Sequence, residues 1–112
     1  MIVVIFRATI KALDPLYFET ASRLRDLAFS RFGCIALHSV TEGNIEVTLS
    51  YWPSEEHIRS WRAHPEHVAA QQHGRTTWYE SYSVEIARIE RQYEHRPEGE
   101  SERNFGISSG QT

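Results

Sequence analysis

The spacing of the apolar residues changes after the first turn of the chain. Residues 1–10 contain the continuous apolar run IVVIF, which predicts a strand buried on both faces. Between Pro15 and Phe32 the apolar residues recur at steps of three and four, which predicts a helix. Asp14 suits the N-cap of that helix, and Gly33 suits the position just beyond its C-terminus.

Two alternating segments follow the helix and favour a β-hairpin. Residues 34–41 and 45–52 each alternate from one position to the next. The second segment separates Ile, Val, Leu and Tyr on one face from Glu, Thr, Ser and Trp on the other. Residues 42–44, Glu-Gly-Asn, form a turn sequence because Gly and Asn tolerate positive φ.

The second half of the chain predicts two short helices and a long strand. Ser54, followed by two glutamates, indicates the start of a helix. Pro65 suits the first position of a third helix that extends to about His73, and Gly74 is predicted to end it. Residues 76–93 predict the last strand, which is unusually long.

The composition changes at about residue 94. Residues 94–112 are polar, with Gly, Ser and Pro and almost no apolar residues, which predicts a mobile C-terminal tail. The sequence therefore predicts one folded domain over residues 1–93.

The predicted element order is β-α-β-β-α-β, which is the order of the ferredoxin-like α+β fold. In this fold both helices cover the same face of a four-stranded antiparallel sheet. The first and last strands carry apolar residues for both faces, so the other face also needs a cover. A second copy of the chain, packed sheet against sheet as a homodimer, is the simplest cover.

Length and charge exclude several classes of protein. The chain has 112 residues, enough for one domain, and a formal net charge of -3. This charge gives no basic surface for nucleic acid and no attraction to anionic membranes. The only cysteine, Cys34, cannot form an intramolecular disulfide, and we expect an inert buried thiol. Arg7 interrupts the first apolar run, so we expect neither a signal peptide nor a membrane span and place the protein in the cytoplasm.

Residues 51–78 contain the candidate chemistry. This stretch holds all three tryptophans and four of the six histidines. Aromatic rings and imidazoles grouped in this way suit the wall of a pocket for a flat organic molecule, and they equally suit a packed helical corner.

Residues 1–93 resemble the antibiotic-biosynthesis-monooxygenase family of dimeric α+β barrel proteins. The similar features are MIVVIF at the start, RFGC at the end of the first helix, LSYW followed by SEEHIRSWRAHPEHVAAQQHGR, and TWYESYSVEIARIERQY at the end. The most specific fragment is W-x-x-H-P-E-H, from Trp61 to His67. The chain is more similar to the bacterial branch without an assigned reaction than to the members with one.

The resemblance implies a ferredoxin-like protomer paired into a barrel. It also implies oxygenation of a phenol, quinol or anthrone by O₂ without a cofactor or metal. In such enzymes the substrate lies between helices and sheet, loses a proton and reacts as an anion. This chemistry needs a dry aromatic pocket, a proton acceptor and a group that stabilises an oxyanion.

Haem-degrading relatives imply a less favoured activity, because they use an asparagine in the first strand, a tryptophan and a histidine. Trp61 looks like that tryptophan. Arg7 stands near the expected asparagine, Gln71 stands ten residues after Trp61, and His73 follows two residues later. Two of the three residues are therefore absent or displaced.

Two residues at the end of the third helix are the candidate catalytic groups. His73 is a candidate base, because its ordinary pKa suits proton transfer near neutrality, or it interacts with the helix dipole. Arg75 is a candidate anion-holding residue, or it pairs at the surface with Glu80 or Glu85.

Five further residues are candidates for substrate binding. Trp61 forms an aromatic wall or fills the core, and Arg7 anchors substrate or forms a salt bridge across the dimer interface. Trp78 and Tyr82 are interface or core residues, although a tyrosine hydroxyl could donate to a quinone oxygen. His64 contacts the substrate or caps a helix, with His67 solvated. A metal site at His64 and His67 lacks a recognisable third ligand.

Two function classes follow from the sequence. The first is a cofactor-independent monooxygenase that acts on a small aromatic phenol, quinol or anthrone. The second is a non-catalytic dimeric binding or stress-related protein that holds a small hydrophobic ligand without turning it over. A polar group inside the aromatic cleft would favour the enzyme.

Overall fold

The structure is a computed structural model, and it describes residues 1–97. Its elements are β1 (Ile2–Ile10), α1 (Pro15–Arg31), β2 (Ala36–Glu42), β3 (Ile45–Trp52), α2 (Glu55–Arg62), α3 (Pro65–His73), a π-helical turn (Gly74–Trp78) and β4 (Tyr79–Arg88). The four strands form one antiparallel sheet in the order β2-β3-β1-β4. The ferredoxin-like α+β prediction is confirmed.

Local sequence signals explain most of the element ends. The side chain of Asp14 accepts a hydrogen bond from the backbone N–H of Tyr17 at 2.9 Å, which caps α1. Gly33 ends this helix with φ of 80°, and Gly43 has φ of 61° in the β2–β3 turn. Both glycines occupy left-handed backbone conformations that other residues rarely adopt.

The last strand is shorter than the sequence predicted. It begins at Tyr79 rather than Thr76 and ends at Arg88 rather than Tyr93. As predicted, α3 ends at His73 with Gly74 as its C-cap, but Gly74 keeps a helical φ of -58° and the chain continues as the π-helical turn. A Cβ on Gly74 would lie 3.0 Å from the Tyr79 ring, so the close approach of this ring explains the glycine.

The core lies between the helices and one face of the sheet. Trp52 and Ile58 are its largest fully buried side chains, and they pack with Ile2, Val4, Ala28 and Cys34. Burial raises the pKa of the Cys34 thiol, which agrees with the expected buried thiol.

The opposite face of the sheet carries exposed apolar side chains. Val40 is 66% exposed and Ile45 is 46% exposed. Arg7 forms a salt bridge with Glu85 of the same chain, on exposed side chains. Arg7 belongs to this outer face because the alternate residues Val4 and Phe6 line the space under the helices.

Part of the predicted tail, residues 98–112, lies outside the described residues. Within residues 1–97, no helix combines the length and hydrophobicity that a membrane crossing requires.

Candidate functional site

A cavity of about 390 Å³ separates the helices from the sheet. Its sheet strands contribute Val4, Phe6, Leu37, Ser39, Glu46, Thr48, Ser50, Tyr79, Tyr82 and Val84. The helices and the π-helical turn contribute Tyr17, Thr20, Ala21, Ser22, Leu24, Arg25, Trp61, Arg62, His67, Ala70, Gln71, Gly74 and Trp78. The volume lies within the range of about 300–1,000 Å³ found for small-molecule sites.

The structure brings three of the seven candidate residues together around this cavity. Trp61, Trp78 and Tyr82 line it, whereas the other four do not belong to its lining: Arg7, His64, His73 and Arg75. Arg7 lies on the other face of the sheet. His64 instead caps α3, because its Nδ1 accepts a hydrogen bond from the backbone N–H of Glu66 at 3.1 Å.

Trp61 is both a core residue and a cavity wall. Its ring lies 5.0 Å from the Trp52 ring, which is fully buried. The Trp61 ring also contacts the His67 ring edge to face, with centroids 4.3 Å apart and planes at 71°. The two alternatives for Trp61 are therefore compatible, because one indole can fill the core on one side and border open space on the other.

His73 and Arg75 contact the cavity wall from outside. The His73 ring stacks on Trp78 at 5.3 Å, and Trp78 Nε1 donates to Asp14 Oδ1 at 3.0 Å. Arg75 Nε donates to the hydroxyl oxygen of Tyr82 at 3.0 Å, in place of the expected glutamate partner. These two residues are therefore placed to position Trp78 and Tyr82.

Glu46 is the main polar group in the cavity wall, and sequence reasoning missed it. It is 5% exposed, and its Oε1 accepts hydrogen bonds from Tyr17 at 2.7 Å and Tyr79 at 3.1 Å. Its Oε2 has a longer contact of 3.4 Å with the Thr48 hydroxyl. The Thr48 hydroxyl also shares a hydrogen bond of 2.8 Å with Ser39. A short polar row therefore crosses the sheet side of an aromatic cavity.

Glu46 and burial together change the acidity of the two tyrosines. Burial, followed by the hydrogen bond and charge of Glu46, raises the pKa of Tyr17 to about 12. Burial and the charge of Glu46 also raise the pKa of Tyr79 well above its usual range. Both hydroxyls therefore remain protonated donors at neutral pH.

The alternation of residues along β3 contained a signal that Glu46 faces the helices. From alternation alone, either the apolar set or the polar set of β3 could face the helices. The structure places Glu46, Thr48, Ser50 and Trp52 on the helix side. Trp52 is the available signal, because a large aromatic residue at the end of the polar set would be expected in the core.

His67 is half-buried, and its Nδ1 atom is shielded from solvent, whereas the sequence suggested a solvated side chain. Burial lowers the pKa of His67 to about 4, with smaller effects from Arg62 and His64. Within residues 1–97, the buried atoms His67 Nδ1 and Trp61 Nε1 have no hydrogen-bond partner. The imidazole is therefore neutral at physiological pH and forms part of the apolar enclosure.

Comparisons with known proteins give one relative by sequence and many similar folds. No protein-family model matches the chain. The "Uncharacterized protein YqjZ" of Bacillus subtilis is 43% identical over 90 residues, which cover 80% of this chain and 79% of YqjZ.

Two solved structures illustrate the similarity in fold. SnoaB, a cofactor-independent oxygenase from Streptomyces nogalater, superposes in its N63A mutant form with a TM-score of 0.68 at 13% identity, covering 81% of this chain and 94% of SnoaB. A structure described as an antibiotic biosynthesis monooxygenase superposes with a TM-score of 0.66 at 14% identity, covering 80% of this chain and 98% of that chain.

Proposed function

Because the chain belongs to the family of the Bacillus subtilis protein YqjZ and has the fold of antibiotic biosynthesis monooxygenases, we propose that it is a cofactor-independent monooxygenase. Its substrate would be a small aromatic phenol, quinol or anthrone, and its oxidant would be O₂. A cytoplasmic location is part of this proposal.

The observation that supports this function most directly is the aromatic cavity with a buried carboxylate in its wall. Trp61, Trp78 and Tyr82 offer ring surfaces on which a flat molecule can stack. Glu46 offers an acceptor for a hydroxyl proton in a space from which a bound ring would displace water. An electron-rich aromatic ring held in this way is the reactant that the chemistry requires.

Positive charge in the lining provides a means of stabilising an oxyanion. Arg25 and Arg62 are the cationic residues that line the cavity. His73 and Arg75 would contribute indirectly, since they contact Trp78 and Tyr82 and so fix the position of the aromatic walls.

The test is O₂ uptake with a panel of quinols and anthrones, using a pair of neighbouring alanines on α3. Ala70 lines the cavity, whereas Ala69 is exposed. We expect Ala70→Trp to fill the cavity and lower kcat/KM by about tenfold or more. Ala69→Trp should retain the wild-type value, because its indole lies outside the cavity. No uptake above buffer with any substrate would exclude the oxygenase.

Ligand binding without turnover is the second candidate function. It is favoured by the positions of His73 and Arg75, which do not line the cavity. The same panel distinguishes the two functions, because a binding protein would quench tryptophan fluorescence with these compounds and consume no O₂. The Ala70→Trp variant would lose this binding, and the Ala69→Trp variant would keep it.

A homodimer is the assembly that we propose for the active protein. The outer face of the sheet exposes Val40 and Ile45, and an apolar face of this kind is stabilised by a second copy. We expect sedimentation to show a dimer at micromolar concentration and Val40→Glu to weaken it by about tenfold or more, because the interface would bury a charge. Val68→Glu is the control, since Val68 is an exposed valine on α3. A stable wild-type monomer would contradict the proposal.

A further inference from the structure

The two oxygens of the Glu46 carboxylate differ in the number and length of the hydrogen bonds that they accept. Oε1 accepts both tyrosine hydroxyls, at 2.7 and 3.1 Å. Among the described residues 1–97, Oε2 has only the Thr48 hydroxyl at 3.4 Å, which is too long for a strong charge-assisted hydrogen bond. A carboxylate has about four acceptor positions, so Oε2 retains capacity for another donor.

The position of Glu46 makes this capacity relevant to a ligand. Glu46 and Thr48 both line the cavity, and the Thr48 hydroxyl already shares a hydrogen bond with Ser39. Oε2 is the oxygen in contact with Thr48, which continues the polar row toward Ser39, and all three residues line the cavity. A buried charge with one poorly satisfied oxygen gains free energy when a donor reaches it.

We propose that Glu46 Oε2 is the hydrogen-bond acceptor for an uncharged aryl hydroxyl of the ligand, and that ionised Glu46 excludes an aryl anion that arrives from solution, so that the reactive anion forms only when the bound hydroxyl passes its proton to Glu46. This inference rests on the proposed function, because it assumes that the cavity is the ligand site. Glu46 is then the residue that determines specificity, and the ligand binds with its hydroxyl protonated.

Tyr17 and Tyr79 support this assignment because they are aryl hydroxyls held by the same carboxylate. Both remain protonated because burial, and after it Glu46, raises the pKa of each hydroxyl. A ligand hydroxyl at Oε2 would experience the same negative charge and the same low dielectric. The site should therefore favour the neutral hydroxyl and repel the anion.

Other charged and titratable groups around the cavity lie on several elements. Arg25 comes from α1, Arg62 from α2, His67 from α3 and Tyr82 from β4. Because His67 has a pKa of about 4 and the arginines are always cationic, these three groups keep a constant charge between about pH 6 and 11. Tyr82 is the remaining titratable group of the four, so the change that reports on the ligand is a loss of affinity that begins at the ligand's own pKa and that the matching aryl ether does not show.

The experiment compares 2-naphthol with 2-methoxynaphthalene under anaerobic conditions, so that binding is measured without oxygenation. Tryptophan fluorescence quenching gives the Kd of each compound for the full chain. We expect the wild-type protein to prefer the naphthol by about tenfold to a hundredfold, because the ether cannot donate to Oε2. The naphthol affinity should then fall about tenfold per pH unit above the pKa of the free naphthol.

Two variants separate the role of Glu46 from general effects on folding. Glu46→Gln keeps the shape but removes the charge, so the hydroxyl preference should shrink and the naphtholate should be tolerated. Glu80→Gln, at an exposed position beside Tyr79, should behave as the wild type does. Circular dichroism checks the fold of each variant.

A third variant keeps the proposal testable if Glu46→Gln does not fold. Tyr79→Phe removes one donor from Oε1, which leaves the carboxylate a stronger acceptor, so the hydroxyl preference should rise. An unchanged preference in a folded Glu46→Gln variant would overturn the proposal, as would equal affinity of the wild type for both compounds. A failure of O₂ uptake with intact hydroxyl selectivity would reject the oxygenase alone, whereas the absence of any binding would reject both.

Discussion

Replacing Trp52 by alanine is expected to remove about 3–5 kcal/mol from the free energy of unfolding. Trp52 is fully buried, and its ring packs at 5.0 Å against Trp61. Its Nε1 also donates to the Ser50 hydroxyl at 2.9 Å, so the substitution removes a hydrogen bond as well as a large apolar volume. Since domains of this kind have total stabilities of about 5–15 kcal/mol, the variant would be close to unfolding.

Urea denaturation followed by far-ultraviolet circular dichroism measures this loss. Phe18→Ala is the control, because Phe18 is 62% exposed and its truncation should change stability by about 0.5 kcal/mol or less. Ser50→Ala would isolate the hydrogen bond, at about 1 kcal/mol. A loss below about 1 kcal/mol for Trp52→Ala would show that Trp52 is not the centre of the core.

Lowering the pH from about 6.5 to 4 is expected to remove up to about 3 kcal/mol of stability through His67. Its pKa is about 4 in the folded protein and about 6.5 in the unfolded chain. The unfolded chain therefore binds more protons between these values, so the free energy of unfolding falls as the pH falls through this window. From about pH 7.5 upward His67 is essentially neutral in both states and contributes no pH dependence.

The His67→Phe variant tests this prediction, because a phenyl ring can maintain the contact with Trp61 without titrating. The free energy of unfolding of the wild type should fall between about pH 6.5 and 4 by up to about 3 kcal/mol more than that of His67→Phe. His73→Phe is the control, since His73 is exposed. If His67→Phe loses as much stability as the wild type between pH 6.5 and 4, the acid sensitivity arises from other groups.

The aromatic part of the cavity could be predicted from the sequence, whereas its polar part could not. Trp61, Trp78 and Tyr82 belong to a stretch rich in aromatic residues and to the following strand, and all three line the cavity. Glu46 lies outside that stretch, on a strand whose alternation fits two opposite orientations. The tyrosine partners of Glu46 come from α1 and the start of β4, at separations of 29 and 33 residues.

The positions of His73 and Arg75 depended on a feature that local sequence did not indicate. A glycine just after a helix usually adopts a left-handed conformation, yet Gly74 keeps a helical φ and begins a π-helical turn, and the Tyr79 ring lies so close that a Cβ at Gly74 would be 3.0 Å from it. This extra turn places Trp78 in the wall and leaves the imidazole of His73 stacked on its outer side.

The sequence alone determined the order of the elements and the caps at Asp14 and Gly33, because these follow from residues close together in the chain, where periodicity and backbone preference act directly. The ferredoxin-like sheet was inferred from that order of elements. The tertiary structure decided that Glu46 is buried between two tyrosines and that His67 is neutral in the enclosure. Both facts depend on burial and on partners that are distant in the chain. Burial and these partners set the dielectric and the charge around each side chain, so neither can be inferred from one segment of the sequence.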